Sequence, residues 1–154
     1  GFGLDAQYKG WFLTANFTFV ADIWRFDYDW ANLVDTRNIG NFAISRELYD
    51  YWTPENRAAS MPGLSANNLD YQAYSDRNLK DASYVRLRYL SLGYNFNPKD
   101  LKMIKLTGLR VFAQAENLHT WSNWKGWDAE SFRANDQSQY PTPRTVSFGV
   151  EVQF

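Results

Sequence analysis

The chain reads as an all-β protein, an antiparallel transmembrane β-barrel segment of about five long strands. Three observations predict this class. Apolar and polar residues alternate with period two over several runs, the runs are long, and the connections between them are by turns very short and very long. The runs extend over roughly 10–13 residues, the length a tilted strand needs to cross a bilayer and about twice the usual globular strand.

The first strand occupies residues of about 1–9, with Phe2, Leu4, Ala6 and Tyr8 opposing Gly3, Asp5, Gln7 and Lys9. A tight turn at Lys9–Gly10 leads into the second, about 11–22, where Trp11, Leu13, Ala15, Phe17, Phe19 and Ala21 oppose Thr14, Asn16, Thr18 and Asp22. Phe12 and Val20 break that pattern. After a long connection over 23–83 comes the third strand, about 84–96. Val85 and Leu87 oppose Arg86 and Arg88, and then Leu90, Leu92, Tyr94 and Phe96 take the other phase. A slip near Tyr89–Leu90 fits a β-bulge, which inserts one residue and restores the facing; the alternative is a break into two short strands. Asn97–Thr107 makes a short connection punctuated by Pro98, and Gly108 follows it. The fourth strand, about 108–118, sets Leu109, Val111, Ala113 and Ala115 against Arg110, Gln114 and Glu116, with Phe112 out of phase. A second long loop, about 119–143, precedes the fifth strand at 144–154, where Val146, Phe148, Val150, Val152 and Phe154 oppose Thr145, Ser147, Gly149, Glu151 and Gln153. Helical spacing is weak; only Arg46–Trp52 and Pro98–Ile104 could hold a helical turn.

If neighbouring strands are antiparallel, both short turns fall on one rim and both long loops on the other, as in outer-membrane barrels. Tyr8, Trp11, Tyr94, Phe96 and Phe154 then gather at the short-turn rim, and Ile23, Trp24, Tyr84 and Trp121 at the opposite one. Aromatic rings collect at such levels because they favour the lipid–water interface. A soluble carbohydrate-binding β-sandwich also alternates apolar and polar residues, and it is the competing reading. Strand length and an apolar face rich in Phe, Leu and Val on every strand favour the barrel.

Composition narrows the function. With no Cys and one His, zinc fingers, iron–sulfur sites, multi-histidine metal sites and Cys nucleophiles are excluded, so no metal or cofactor is expected. Sixteen basic residues against 17 acidic ones argue against a nucleic-acid binder, which would need a basic face. No run approaches the ~18 apolar residues of a membrane helix. The negative mean hydropathy does not argue for solubility here, because only alternate residues of a barrel strand face lipid. The length suits a single domain, and a start at Gly1 without Met suggests a mature, processed or excised chain. Five strands would leave two open edges in lipid, so either identical chains assemble or this is the last part of a larger barrel.

From about Trp52 onward the chain resembles the SusC/RagA family of TonB-dependent outer-membrane transporters. The likeness is carried by Tyr51-Trp52-Thr53-Pro54-Glu55-Asn56, Met61-Pro62-Gly63-Leu64 and Ser75-Asp76-Arg77-Asn78-Leu79-Lys80-Asp81-Ala82-Ser83-Tyr84-Val85-Arg86-Leu87-Arg88, running on to Leu92-Gly93-Tyr94. It continues in Leu109-Arg110-Val111-Phe112-Ala113-Gln114-Ala115-Glu116-Asn117-Leu118, Gly126-Trp127-Asp128-Ala129-Glu130 and Tyr140-Pro141-Thr142-Pro143-Arg144-Thr145, with a terminal Phe154. Tyr8-Lys9-Gly10 extends it to the start. Asp128-Ala129-Glu130 and Gln114-Ala115-Glu116-Asn117 depart from the family's usual wording, which bears on loop detail. The resemblance implies the last five strands of a 22-stranded barrel closed by an N-terminal plug; neither plug nor TonB box lies in these residues. It implies active import of glycans or oligopeptides across the outer membrane of a Gram-negative, Bacteroidetes-like bacterium, with a SusD-like surface lipoprotein as partner. Energy would come from the TonB complex through the missing N-terminal region. The remainder of the barrel and outer-membrane lipid would be the other partners, and no enzyme activity is implied. A C-terminal aromatic such as Phe154 is similar to the signal by which barrel assembly machinery recognises its clients.

Residues 22–83 carry ten acidic against six basic residues and the aromatics Trp24, Phe26, Tyr28, Trp30, Phe42, Tyr49, Tyr51, Trp52, Tyr71 and Tyr74. Aromatic faces can stack on sugar C–H surfaces, but packing within the loop or on a partner protein favours the same residues. Trp24, Tyr28, Trp30 and Trp52 are therefore candidate partner or substrate contacts. So are Trp121, Trp124 and Trp127, spaced i, i+3, i+6 ahead of Asp128. Asp27 and Asp29 near Asp22 lack calcium-loop spacing and read as a solvated acidic loop, and His119 as a polar loop residue. Asn16-Phe17-Thr18 matches a glycosylation sequon but lies mid-strand. Arg86, Arg88, Arg110, Gln114, Glu116 and Glu151 are expected to line a polar lumen, where charges stay hydrated.

Overall fold

A computed structural model describes residues 1–64, 75–102, 105–130 and 140–154; Tyr71, Tyr74 and the Met103–Ile104 end of the short connection lie outside them. In chain order the strands are β1 (Phe2–Tyr8), β2 (Trp11–Val20), β3 (Trp24–Phe26), β4 (Leu79–Asp81), β5 (Tyr84–Asn95), β6 (Gly108–Ser122) and β7 (Thr145–Gln153). Among the described residues, two short helices, α1 (Tyr28–Leu33) and α2 (Pro98–Leu101), and three 3-10 turns accompany the strands. The chain divides into two units. One holds Gly1–Ala21, Ser83–Asn123 and Thr142–Phe154; the other holds Asp22–Ala82 and Trp124–Pro141.

The first unit is a five-stranded sheet in the order β1-β2-β5-β6-β7, every neighbour antiparallel. At the β1–β2 hairpin Tyr8 pairs with Trp11, and both Lys9 (φ 47°) and Gly10 (φ 91°) take the left-handed region. Two positive φ angles make the turn whose twist matches that of paired strands, and Gly supplies one without a Cβ penalty. At the other short connection Asn97 caps α2 through its side chain and Pro98 takes the first turn, where no N–H is needed.

The phase slip in β5 is a bulge. Asn16 pairs with Tyr89 and Phe17 with Leu87, so Arg88 is the extra residue on the β2 side. On the other side Leu87 pairs with His119 and Tyr89 with Glu116, so Asn117 and Leu118 together oppose Arg88, with Asn117 at φ 52°. One residue in the left-handed region is how a bulge absorbs an unmatched residue while both strands continue. The strand consequently runs on to Ser122, which corrects the loop expected from 119: His119 and Trp121 are strand residues, stacked edge-to-face at 4.5 Å.

The two faces of the sheet differ. Phe2, Leu4, Phe19, Val85, Leu92, Val111, Val146, Phe148, Val150 and Val152 share one face and are all exposed, Phe148 at 83% and Val150 at 65%. A sheet in water would bury that face against a second layer. Here it has no second layer among the described residues, as expected of a surface solvated by lipid.

The second unit has a core of its own, Val34, Leu48 and Met61, with Trp30 and Tyr51 packed against it. Its elements are short, and side chains start them. The Asp27 carboxylate accepts the Trp30 N–H at 2.8 Å to open α1, and Asp35, Ser45 and Ser75 do the same for the 3-10 turns at Thr36–Asn38, Arg46–Tyr49 and Asp76–Asn78. The β3–β4 ribbon brings Trp24 opposite Asp81 and Phe26 opposite Leu79. A parallel bridge joins Tyr51 to Met61.

Candidate functional site

The polar face of the sheet carries the charged residues singled out in the sequence. Arg86 is 3% exposed; its Nε donates to Thr120 Oγ1 at 3.0 Å and its guanidinium lies 5.8 Å from the Tyr84 ring centre. Arg88 donates to Asn117 Oδ1 at 3.3 Å, tying the two strands together at the bulge. Gln114 accepts from the Tyr89 hydroxyl at 3.3 Å. Glu116 and Glu151 are exposed, and Glu151 lies opposite Arg110 across the β6–β7 ladder. Phe154 is 91% exposed just past β7.

Arg110 is held differently. Its guanidinium carbon sits 4.1 Å from the centre of the Phe12 ring and 5.3 Å from that of Phe112. Contact with aromatic faces stabilises a cation by about 0.5–2 kcal/mol, more as water is excluded. Its Nε is buried without a hydrogen-bond partner among the described residues.

Phe12 and Phe112, which hold Arg110, are residues that alternation passed over. They occupy the polar face in one row across four strands, Phe12 opposite Gly93, Gly93 opposite Phe112, and Phe112 opposite Gly149. Each ring covers a glycine. A Cβ built on Gly93 would stand 2.5 Å from Phe12 Cζ, and one on Gly149 2.3 Å from Phe112 Cζ. The missing side chains are what let the rings lie flat on the backbone and present a surface to Arg110. The signal in the sequence is a pair of out-of-phase aromatics matched by glycines, readable only once the register is known.

The aromatics of the second unit separate into packed and exposed groups. Trp30 has partners on its ring and its N–H: its Nε1 donates to Glu47 Oε2 at 3.0 Å, and Lys80 Nζ and the Arg77 guanidinium lie 4.3 and 5.5 Å from its ring. Trp124 is covered by the Arg25 guanidinium at 4.7 Å. Arg25 also donates to the Ala129 carbonyl at 3.0 Å, and buried Asp128 accepts the Glu130 N–H, so Asp128 shapes a turn. Tyr28 begins α1 beside Phe26. Trp24, Trp52 and Trp127 remain exposed, at 57%, 47% and 67%. Of the three tryptophans at i, i+3, i+6, Trp121 is part of β6, and Trp124 and Trp127 belong to the second unit.

Two carboxyls in this unit are held below the usual carboxylate range. Hydrogen bonds from the Arg37 side chain, with Nε at 2.8 Å, do this for Asp35. For Asp50 it is the Ser60 N–H at 2.9 Å, assisted by Asn56. Asp27 is occupied as a helix cap, and no group of three or more His, Asp or Glu placed to hold a metal occurs among the described residues.

Comparison with known proteins fits this geometry. No family model matches the chain. TonB-dependent receptor P26 of Formosa agariphila is 28% identical over 128 residues, covering 76% of this chain and 13% of that protein. TonB-dependent receptor P39 of the same organism is 28% identical across 100% of the chain and 16% of its own length. TonB-dependent receptor SusC of Bacteroides thetaiotaomicron is 36% identical over 93 residues, 60% of this chain and 9% of that protein. The solved structure of the RagAB peptide transporter superposes on 99% of the chain with a TM-score of 0.85 at 26% identity, using 16% of that chain. The present chain therefore spans about a sixth or less of the proteins it matches. On sequence and structure together, it is similar to a β-barrel segment of the SusC/RagA-type TonB-dependent receptors.

Proposed function

We propose that the protein to which this segment belongs imports glycans or oligopeptides across the outer membrane, with a SusD-like surface lipoprotein as its lid and TonB as its source of energy. The observation that carries the reading is the match to the RagAB peptide transporter along 99% of the chain. The sheet supplies the physical support: one face is apolar and exposed on every strand, while the other holds arginines in hydrogen bonds and aromatic contacts. In this reading the apolar face meets lipid, and Arg86, Arg88, Arg110, Gln114, Glu116 and Glu151 line the lumen. The free edges of β1 and β7 pair with other strands of the same barrel, because an unpaired edge in hydrocarbon costs several kcal/mol per backbone group. Exposed Trp24, Trp52 and Trp127 contact substrate or the lipoprotein, and Phe154 serves as the assembly signal.

The test is uptake by cells carrying the full-length gene, offered labelled oligopeptides and labelled oligosaccharides in parallel. Uptake of one class should disappear when TonB or the adjacent lipoprotein gene is deleted. Triple replacement of Trp24, Trp52 and Trp127 by Ala should reduce it severalfold with the barrel still assembled. Uptake that is indifferent to TonB would overturn the reading.

A further inference from the structure

We infer that the apolar face of the sheet, beside its short-turn rim, binds one anionic phospholipid; the inference rests on the outer-membrane reading above. A groove of about 690 Å³ opens on this face, walled by Trp11, Leu92, Tyr94, Phe96, Val111 and Phe148. Its origin is visible in the register. Leu92, Ala113 and Phe148 lie side by side across β5, β6 and β7, so a methyl group sits between two large side chains. Gly93 and Gly149, beside Leu92 and Phe148 in their strands, also line it. At the rim, stacked aromatics form one wall, Trp11 to Tyr94 at 5.2 Å and Tyr94 to Phe96 at 5.0 Å. Rings in that position sit at the level where acyl chains meet headgroups. A surface of this shape and chemistry fits hydrocarbon chains.

Charge selects the headgroup. The two connections at this rim carry Lys9, Lys99, Lys102 and Lys105 against a single acid, Asp100, and all four lysines are exposed. Lys9 Nζ lies 5.2 Å from the centre of the Tyr8 ring, its charge held at the aromatic level. Residues 22–83, the connection that leaves the opposite rim, are acidic by ten to six. Cationic charge is thus concentrated at the end of the sheet where the groove lies. An apolar groove alone would accept any acyl chain, whereas lysines within a Debye length of the surface favour anionic headgroups. A second copy of the chain or a neighbouring protein could cover the same apolar wall, but neither would need the lysines.

The experiment uses the full-length receptor in mild detergent, exposed to equal amounts of phosphatidylglycerol and phosphatidylethanolamine, with bound lipid counted by native mass spectrometry. The unmodified receptor should retain phosphatidylglycerol about thirtyfold or more over phosphatidylethanolamine, the size expected from two to three lysines near a bilayer surface. The variant Lys9→Gln/Lys99→Gln/Lys102→Gln/Lys105→Gln should equalise the two lipids. Ala113→Trp, which fills the groove, should lower retention of both about fivefold or more. Equal retention by the unmodified receptor overturns the inference. So does a preference that survives the lysine changes, or a protein dimer that lipid does not displace. If Ala113→Trp fails to fold, the lysine variant decides alone, since its side chains are exposed on the turns. Heat-modifiable migration and dependence on detergent for extraction report on the barrel independently. Their loss would sink the outer-membrane reading, whereas their presence without a lipid preference sinks only this inference.

Discussion

Replacing Gly93 by Ala asks whether the rings of Phe12 and Phe112 rest on glycine by structural necessity. The new Cβ would meet Phe12 Cζ at 2.5 Å and the Val111 carbonyl oxygen at 2.5 Å, both far inside van der Waals contact. Phe12 is only 6% exposed, so its ring has little room to retreat, and a backbone carbonyl in a ladder has less. Overpacking of this kind costs about 1–3 kcal/mol, and two obstructed directions place Gly93→Ala near the upper end. Gly149→Ala is the control. Its closest contacts are ring atoms of the half-buried Phe112, at 2.3 and 2.7 Å, which can be relieved by an off-rotamer ring at about 1 kcal/mol. Urea unfolding of the full-length receptor in lipid vesicles, followed by tryptophan fluorescence and by heat-modifiable migration, measures both. Combining each change with Phe→Ala at its partner closes a double-mutant cycle. The Gly149/Phe112 pair should lose nearly all of its overpacking cost, while Gly93/Phe12 should keep the part due to the carbonyl. If both glycine variants stay within about 0.5 kcal/mol of the parent, the rings do not depend on the glycines.

Three other perturbations address separate parts of the chain. Gly10→Ala should destabilise the β1–β2 hairpin by about 1–2 kcal/mol, because φ 91° is strained for an L side chain and the Cβ would stand 2.8 Å from the Asn95 carbonyl; hydrogen exchange at Tyr8 and Trp11 reports it. Asn117→Ala removes bonds to Arg88 and to the Pro143 carbonyl while leaving φ 52° to be filled, so it should cost about 2 kcal/mol, and Asn117→Gly should cost less because the backbone strain is relieved; urea midpoints order the two. Asp35 is held low by Arg37, so its ion pair stabilises the folded segment above the ordinary carboxylate range and is lost as pH falls through the depressed folded value. Because Arg37 is half exposed, Arg37→Gln should weaken local protection of residues 33–45 at neutral pH by well under about 1 kcal/mol, with the difference vanishing in stronger acid; pH-corrected hydrogen exchange measures it.

How much of this was legible in the sequence depended on the length of each pattern. The long strands were, because ten or more residues of alternation outweigh one exception, and the β5 slip was correctly readable as a bulge, one residue from where Arg88 places it. The end of β6 was not. Asn117 and Leu118 reset the phase through a left-handed residue, and alternation alone cannot distinguish a reset from a stop. The β3–β4 ribbon pairs three residues with three across a long interval, too few for periodicity to register. The helical turn at Arg46–Tyr49 and the one from Pro98 matched weak spacing, whereas α1 was hidden in residues that looked like an acidic loop. Asp27 is its cap, and a carboxylate opening a helix resembles a solvated one until the Trp30 N–H is seen on it. Among the site residues the arginines followed from phase. Trp30 and Trp124, marked as contact candidates, are occupied by packing that only the fold reveals.

The two units hold together for different physical reasons, and the difference constrains how damage spreads. The second unit buries Val34, Leu48 and Met61 and closes its turns with its own carboxylates and hydroxyls, so its stability is of the ordinary aqueous kind. The sheet buries little on its apolar side and leaves the edges of β1 and β7 without partners among the described residues. In water that arrangement would expose Phe148 and Val150 and a row of backbone groups together. On the outer-membrane reading proposed above, its stability comes from a bilayer against one face and from further strands at each edge, which satisfy the backbone where water cannot. A core change such as Met61→Ala should therefore loosen the long connection while leaving strand assembly intact. A charge placed at Val146, in the row of Ala115, Leu90 and Ala15 midway along the strands, should cost about 2–4 kcal/mol for Lys, without touching the loop's core. Insertion of the full-length Val146→Lys receptor into vesicles, compared with proteolysis of the Met61→Ala receptor, separates the two. Equal loss of assembly in both variants would mean that the sheet and the long connection share one source of stability after all.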